Sequence, residues 1–224
     1  DVTGHQVGQV NGLGYYQLDD AEFGLPARIT ATCAMGRRGV VNIEREADLS
    51  GRVHDKGILI LTGFLASTFA QDKPLSLHAS IAFEQSYAMV DGDSASLGEL
   101  LAILSSLSRV PLRQDVAVTG SLNQRGQVQP VGGVTEKVTG FFRICNDRGL
   151  TGTQGALIPR HNISDLHFEE DVCEAVAAGC FHVWPVTDIQ EAIEVMTQTA
   201  PAEVFGACDA TLKRYAEVVR QYSR

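Results

Sequence analysis

The clearest pattern of hydrophobic and polar positions lies between residues 96 and 108. Its leucines follow the i, i+3, i+4, i+7 spacing that buries one face of an α-helix: Leu97, Leu100, Leu101, Leu104 and Leu107. Ser96 and Glu99 have the spacing of a capping box, so we expect the helix to begin there. The polar residues just before it, 90–95, are then predicted to form a turn at the helix N-terminus.

The same periodicities predict several further elements. Helical periodicity covers residues 56–70, 134–147, 171–178, 188–196 and about 202–222. Strand patterns cover residues 5–18, 28–33, 40–44, 75–83, 115–120, 128–131, 155–159 and 181–184. We expect 28–33 to pair with 40–44 as an antiparallel pair, and 115–120 to pair with 128–131 across a short turn.

Helices and strands mix without a strict alternation, which predicts an α+β fold with mixed sheets packed against several helices and a C-terminal helix. The length fits a single domain spanning residues 1–224, with a core over about 5–198 and a helical extension over about 202–222. Because the chain opens on Asp1 rather than Met, we expect it to be a domain of a longer protein.

Composition excludes several classes of protein. The net charge is −9 (18 Lys+Arg against 27 Asp+Glu), which argues against nucleic acid or an anionic membrane as partner. No apolar run reaches the roughly 18 residues of a membrane span. The 5 cysteines include no C-x-x-C pair, so we expect free thiols, no metal site and a cytoplasmic location.

The first candidate for chemistry is Ser94, in the turn before the leucine-striped helix. A serine there lies beside backbone N–H groups and the positive end of the helix dipole, where a nucleophile with an oxyanion hole can be built. Gly92 and Ala95 would supply the backbone of that turn. The alternative is that Ser94 is an ordinary turn residue.

The second candidate is Lys137, which falls inside the apolar arc of the helix predicted over 134–147. Burial disfavours the ammonium form and lowers the pKa, which makes a lysine usable as a general base. A Ser–Lys dyad follows, with Thr119 at the end of the preceding strand placed to orient the lysine. The alternative is a lysine that extends along the surface to reach water.

At these residues the chain resembles the proteolytic domain of the Lon family, in its B- or C-type members. The family pattern Asp-Gly-x-Ser-Ala appears at residues 91–95, a second signature covers 118–121 and 125–137, and Ile158-Pro159 follows at the expected distance. The resemblance implies Ser94 as nucleophile and Lys137 as general base. Asp93 fills the variable position as in B-type members, and Asp91 and Asp93 are supporting residues.

The resemblance also implies what the whole protein does. It implies an α+β domain in a ring, usually a hexamer, that cleaves unfolded polypeptides through an acyl-enzyme. No G-x-x-x-x-G-K-[ST] motif occurs, so we expect no cofactor in this chain, with ATP and magnesium acting only through an AAA+ type module outside it.

Two alternatives stay open. The run Gly92-Asp93-Ser94 is also similar to part of the GDSGG motif of chymotrypsin-like proteases, in which case His54, His78 or His161 would be the base. The other alternative is a catalytically silent, ring-forming binding module with the same fold.

Overall fold

The computed structural model describes residues 1–19 and 21–222. Its helices are α1 (Ile43–Glu46), α2 (Arg52–Phe69), α3 (Ser96–Ser108), α4 (Val134–Arg148), α5 (Glu170–Ala177), α6 (Ile189–Thr197) and α7 (Pro201–Tyr222), with a 3-10 helix at Arg160–Asp165. Its strands are β1 (His5–Gln6), β2 (Gln9–Leu18), β3 (Ala21–Met35), β4 (Gly39–Asn42), β5 (Leu77–Phe83), β6 (Leu112–Arg113), β7 (Val116–Val118), β8 (Ser121–Leu122), β9 (Val128–Gln129), β10 (Gly155–Pro159) and β11 (His182–Val186).

One mixed sheet organises the described part of the chain, with the strand order β11-β10-β7-β2-β3-β5-β4. The pairs β11–β10, β10–β7 and β7–β2 are parallel, whereas β2–β3 and β3–β5 are antiparallel. β4 pairs with β5 in parallel at the far edge. This mixed architecture, with helices and a C-terminal helix, confirms the predicted α+β class.

Helices cover both faces of the sheet. Along β7, Val116 and Val118 join the hydrophobic cluster of α2, α3, α6 and α7, whereas Ala117 between them joins the cluster of α4 and α5. Successive side chains of a strand point to opposite faces, so α3 and α4 lie on opposite sides of the sheet. A residue at the start of α3 and one on α4 can therefore meet only beyond the ends of the strands.

Two predicted strand pairings were wrong. Residues 40–44 do not pair with 28–33, because β5 lies between β3 and β4, and 43–44 belong to α1. Residues 128–131 do not pair with 115–120, because β9 pairs with the short strand β8 instead. In both cases a strand forms within or beside the predicted range, as β4 and β9, but its partner was predicted wrongly. A hydrophobic pattern does not specify which strand lies alongside.

The start of α2 and the N-cap of α3 also differ from the prediction. α2 begins at Arg52 rather than at residue 56, so His54 lies inside the helix, where it is fully buried. α3 begins at Ser96 as predicted, but the capping box is wrong: Ala95 is the N-cap, without a side-chain cap. The side chains of Ser96 and Glu99 instead bond to other parts of the fold.

The division into a core and a C-terminal extension stays a prediction. Cys208 and Leu212 of α7 are fully buried in the same hydrophobic cluster as α3.

The free-thiol prediction is confirmed, since all five cysteines are unpaired. Burial raises the pKa of the thiols of Cys145 and Cys208 to about 12, which leaves them unreactive at neutral pH.

The depth of α4 against the sheet is set by two glycines that face each other. A Cβ on Gly140 would overlap the carbonyl oxygen of Gly24 in β3, and a Cβ on Gly24 would overlap the backbone of Glu136 and Lys137. Neither clash can be relieved without moving a helix or a strand. The missing side chains therefore allow the closest approach of α4 to β3, at the turn of helix that carries Lys137.

This contact predicts opposite effects of the same substitution in two helices. We expect Gly140→Ala to lower the free energy of unfolding by about 1–3 kcal/mol, because the new methyl group meets backbone. Gly206→Ala in α7 is the matched control: the glycine is exposed, with nothing within 4 Å of the new Cβ. It should raise stability by up to about 1 kcal/mol. Urea unfolding measures both; equal effects would contradict this packing.

Candidate active site

Ser94 lies in a turn whose backbone is fixed from outside. Gly92 has φ +87°, a conformation that favours glycine, and it turns the chain toward α3. The carbonyl oxygen of Ser94 accepts a 2.8 Å hydrogen bond from Gly120 N, and Leu97 N donates to Gly120 O at 3.1 Å. The backbone on both sides of Ser94 is thus bound to the segment that follows β7.

Strand β8 holds the same turn through side chains. Ser121 Oγ donates to Asp93 Oδ2 at 2.8 Å, and Ser96 Oγ accepts from Leu122 N at 3.0 Å. The residues on either side of Ser94–Ala95 are therefore engaged in fixing the turn. This use of Ser96 explains why it does not cap its own helix.

Lys137 approaches the turn from the other face of the sheet. It lies in the first turns of α4, only 3% exposed, as its position in the apolar arc predicted. Lys137 Nζ donates to Thr119 Oγ1 at 3.3 Å, and Thr119 Oγ1 donates to the Ser94 carbonyl oxygen at 3.4 Å. Thr119, directly after β7, links the lysine to the turn that carries Ser94.

Burial changes the acid–base chemistry of Lys137. Desolvation lowers its pKa from 10.5 to about 8, although the negative charges of Asp93 and Glu136 act in the opposite direction. With this pKa, about a tenth of Lys137 is the neutral amine at pH 7, and a neutral amine can accept a proton.

Ser94 and Lys137 line one cavity of about 240 Å³. Its wall also contains Gly92 and Ala95 of the turn, and Asp91, which lies against Gly51. The rest of the wall comes from residues 12–16 of β2, from Ala27, Phe83 and Ser86, and from residues 88–90. Most of these are apolar or aromatic, so the cavity offers an apolar surface beside a hydroxyl and an amine.

The geometry agrees with comparisons to known proteins. The model of the Lon protease C-terminal proteolytic domain matches residues 75–199, more than half of the chain. The chain belongs to the Lon protease family. The matched range contains Ser94, Thr119 and Lys137, whereas β2, which completes the cavity of this Lon domain, lies outside it.

Individual Lon relatives extend the match to most of the chain. The "Putative Lon protease homolog" of Escherichia coli is 41% identical over 198 residues, which is 88% of this chain and 34% of that protein. The "Archaeal Lon protease" of Thermococcus kodakarensis is 29% identical over 223 residues, 92% of this chain and 32% of that protein. The chain thus spans about a third of the length of these two relatives.

The sequence pattern missed the residues that fix the Lon turn from outside. Gly120, Ser121 and Leu122 bind the backbone or side chains around Ser94. Gly120 and Ser121 belong to the motif over residues 118–121, whereas Leu122 lies just after it. Spacing alone did not show which atoms these residues would bind.

The three histidines proposed for a catalytic triad lie elsewhere. His54 is buried and bonded to Glu99, His78 lies within β5, and His161 is exposed in the 3-10 helix. None of the three lines the cavity of Ser94. Among the described residues of its wall, the titratable side chains besides Lys137 are two tyrosines and Asp91.

The described residues show neither a metal centre nor a membrane span. Within residues 1–19 and 21–222, no three His, Cys, Asp or Glu side chains converge as metal ligands. Over the same ranges, no helix combines the length and the apolar character needed to cross a bilayer.

The lowered pKa of Lys137 predicts a stability effect that needs no activity assay. Below about pH 8 the folded protein keeps a buried ammonium, which costs about 3 kcal/mol relative to an unfolded-state pKa of 10.5. Between these two values the unfolded chain binds more protons, so stability rises with pH and the cost disappears. Lys137→Met should therefore stabilise the fold at neutral pH, with a gain that declines as pH rises.

Urea unfolding at several pH values measures this difference. Lys56→Met is the matched control, because Lys56 is exposed on α2 and should show no such trend. A stability difference between wild type and Lys137→Met that stays constant with pH would contradict a lowered pKa.

Proposed function

We propose that this chain is the proteolytic part of a Lon-type serine endopeptidase with Ser94 as nucleophile and Lys137 as general base. One observation carries the proposal: a buried lysine with a lowered pKa and the serine of the Asp-Gly-x-Ser-Ala turn line the same cavity. The two side chains approach from opposite faces of the sheet, an arrangement that packing alone does not require.

In the proposed reaction, neutral Lys137 takes the proton of the Ser94 hydroxyl as Oγ attacks the scissile carbonyl carbon. The tetrahedral intermediate collapses, the C–N bond breaks, and the lysine ammonium gives its proton to the leaving amine. Water then attacks the acyl-enzyme with Lys137 again as base, which releases the acid and restores Ser94. Each half-reaction returns the lysine to its starting protonation state.

The oxyanion is proposed to bind backbone N–H groups of the turn. Ser96 N already donates to Asp93 O and Leu97 N to Gly120 O, both at 3.1 Å, so these two groups are engaged. The donors are then the N–H groups earlier in the turn, between Gly92 and Ala95. Each oxyanion donor contributes roughly 3 kcal/mol to transition-state stabilisation in comparable enzymes.

The partners follow from the family rather than from this chain alone. We propose unfolded polypeptides as substrates, a homo-oligomeric ring that is hexameric, and a cytoplasmic location. ATP and magnesium would act through an AAA+ type module outside this chain. Casein cleavage by this chain should then be the same with and without ATP.

The two alternative functions require different residues at the site of Ser94. A His-based triad needs a histidine beside Ser94, and the cavity wall contains none among the described residues. A silent binding module needs no reactive serine, so a serine-directed probe separates it from the dyad enzyme.

We expect Ser94→Ala and Lys137→Ala each to abolish casein cleavage, because each removes one member of a unit that acts together. Ser94→Ala should also abolish labelling by a fluorophosphonate, and mass spectrometry should place the label of the wild type on Ser94. His161→Gln is the control, since this exposed histidine should be dispensable. Full cleavage by Lys137→Ala, or no labelling of the wild type, would refute the dyad.

The rate of labelling should depend on pH through Lys137. Below about pH 8 most of the lysine is protonated, so the rate of reaction with the fluorophosphonate should rise about tenfold per pH unit. It should level off above that pKa, as the neutral amine becomes the main form. Stopped-time labelling from about pH 6 to about pH 9.5 measures this profile. A flat profile would exclude a lysine base.

A further inference from the structure

The nucleophile loop, residues 90–95, is held at two ends by elements that the dyad does not use. At its start, Val90 N donates to Leu49 O and Gly51 N donates to Val90 O, both at 2.8 Å. At its end it runs into the first turn of α3, where Glu99 N donates to Ala95 O at 3.0 Å. The loop can keep its shape only if segment 49–51 and this first turn stay fixed relative to each other.

His54 lies between these two anchors. It belongs to the first turn of α2, and neither its side chain nor that of Glu99 has more than 1% of its surface exposed. His54 Nε2 is 2.7 Å from Glu99 Oε1, and His54 Nδ1 is 3.1 Å from Ser50 Oγ. One imidazole ring thus connects the segment before the loop to the helix turn after it.

The positions of the protons follow from the partners. Ser50 Oγ donates to Asp55 Oδ1 at 2.7 Å, so its single proton is already used and its oxygen must accept from His54 Nδ1. The carboxylate of Glu99 can only accept, so His54 Nε2 must also donate. Asn42 Nδ2 lies 3.5 Å from His54 Nδ1 and donates to Ser50 Oγ at 3.4 Å, so Nδ1 can keep its own proton. A ring that donates from both nitrogens is an imidazolium.

The charges around the ring agree with this protonation. Burial on its own lowers the pKa of His54, but the hydrogen bond and charge of Glu99 from α3 raise it. The charges of Glu44 from α1 and Asp55 from α2 act in the same direction, and the net pKa lies above 6.5. Phe83 from β5 contacts the ring edge to face and contributes no charge.

Resting on the proposed function of Ser94, we propose that His54 is a positioning residue: its imidazolium bridges Ser50 and Glu99 and so fixes both ends of the loop that carries the nucleophile. Among the described residues Glu99 Oε2 has no hydrogen-bond partner, so His54 is the group that compensates this buried carboxylate. His54 does not line the substrate cavity. Its loss should therefore change the rate of acylation and leave substrate binding unchanged.

The test compares His54→Phe and His54→Gln with wild type in casein or peptide cleavage. His54→Phe should lower kcat about 10- to 100-fold with KM changed less than about twofold, because the nucleophile is displaced while the cavity is intact. His54→Gln keeps a donor to Glu99 but cannot also bind Ser50. Its kcat should therefore lie between those of wild type and His54→Phe. His161→Phe is the matched control and should behave as wild type.

If His54 only stabilises the fold, the loss of activity in His54→Phe should match the loss of folded protein. Rates are therefore normalised to the folded fraction measured by thermal unfolding. If normalised kcat of His54→Phe equals that of wild type, or if KM changes in place of kcat, the proposal is overturned. If His54→Phe does not fold, Glu99→Gln, which keeps the side-chain shape, takes its place: about a tenfold loss of kcat supports the proposal and full activity overturns it.

Amide hydrogen exchange over residues 90–95 separates this proposal from the proposed function. Exchange should be faster in His54→Phe, or in Glu99→Gln, than in His161→Phe. Faster exchange with a wild type that fluorophosphonate does not label would count against the peptidase function and leave the bridge in place. Unchanged exchange with normal labelling of Ser94 would overturn the bridge alone.

Discussion

The structure depends on one constraint: Ser94 and Lys137 are carried by elements on opposite faces of a single sheet. α3 packs on one side of β7 and α4 on the other. Side chains from the two layers can therefore meet only past the carboxyl end of β7, where Thr119 lies. The segment 119–122 is the junction of the two layers, and it supplies the bonds that fix the Ser94 turn on this side.

The burial of Lys137 depends on how closely α4 packs against the sheet. Lys137 would not be buried if α4 lay farther from β3, and the facing glycines Gly24 and Gly140 set that distance. A buried ammonium opposes folding near neutral pH, and the large apolar clusters on both faces must offset this cost. The same burial lowers the pKa of the amine. The distance between α4 and β3 therefore determines both the cost of the buried ammonium to stability and the lowered pKa of Lys137.

Much of this could be predicted from sequence, and the failures have a common cause. Helical periodicity located α3 and α4, and the apolar arc of α4 singled out Lys137, because a helix carries its pattern locally. The partners of β4 and β9 were predicted wrongly, since pairing depends on distant residues. The start of α2, which left His54 outside the helix, and the capping role of Ser96 were predicted wrongly for the same reason. The side chains of His54 and Ser96 bond to Glu99 and Leu122, far away in sequence.

The central position of β2 in the sheet affects when the cavity of Ser94 and Lys137 can form during folding. This strand, near the beginning of the chain, lies between β3 and β7, and Asn11 donates to Gln114 O across 103 residues. Such distant pairing forms late in folding, because a long loop must close first. The cavity wall from β2 and the lysine on α4 are thus assembled only after most of the chain is available. The cavity that Ser94 and Lys137 share therefore stays incomplete on a nascent chain until β2 has paired with β7.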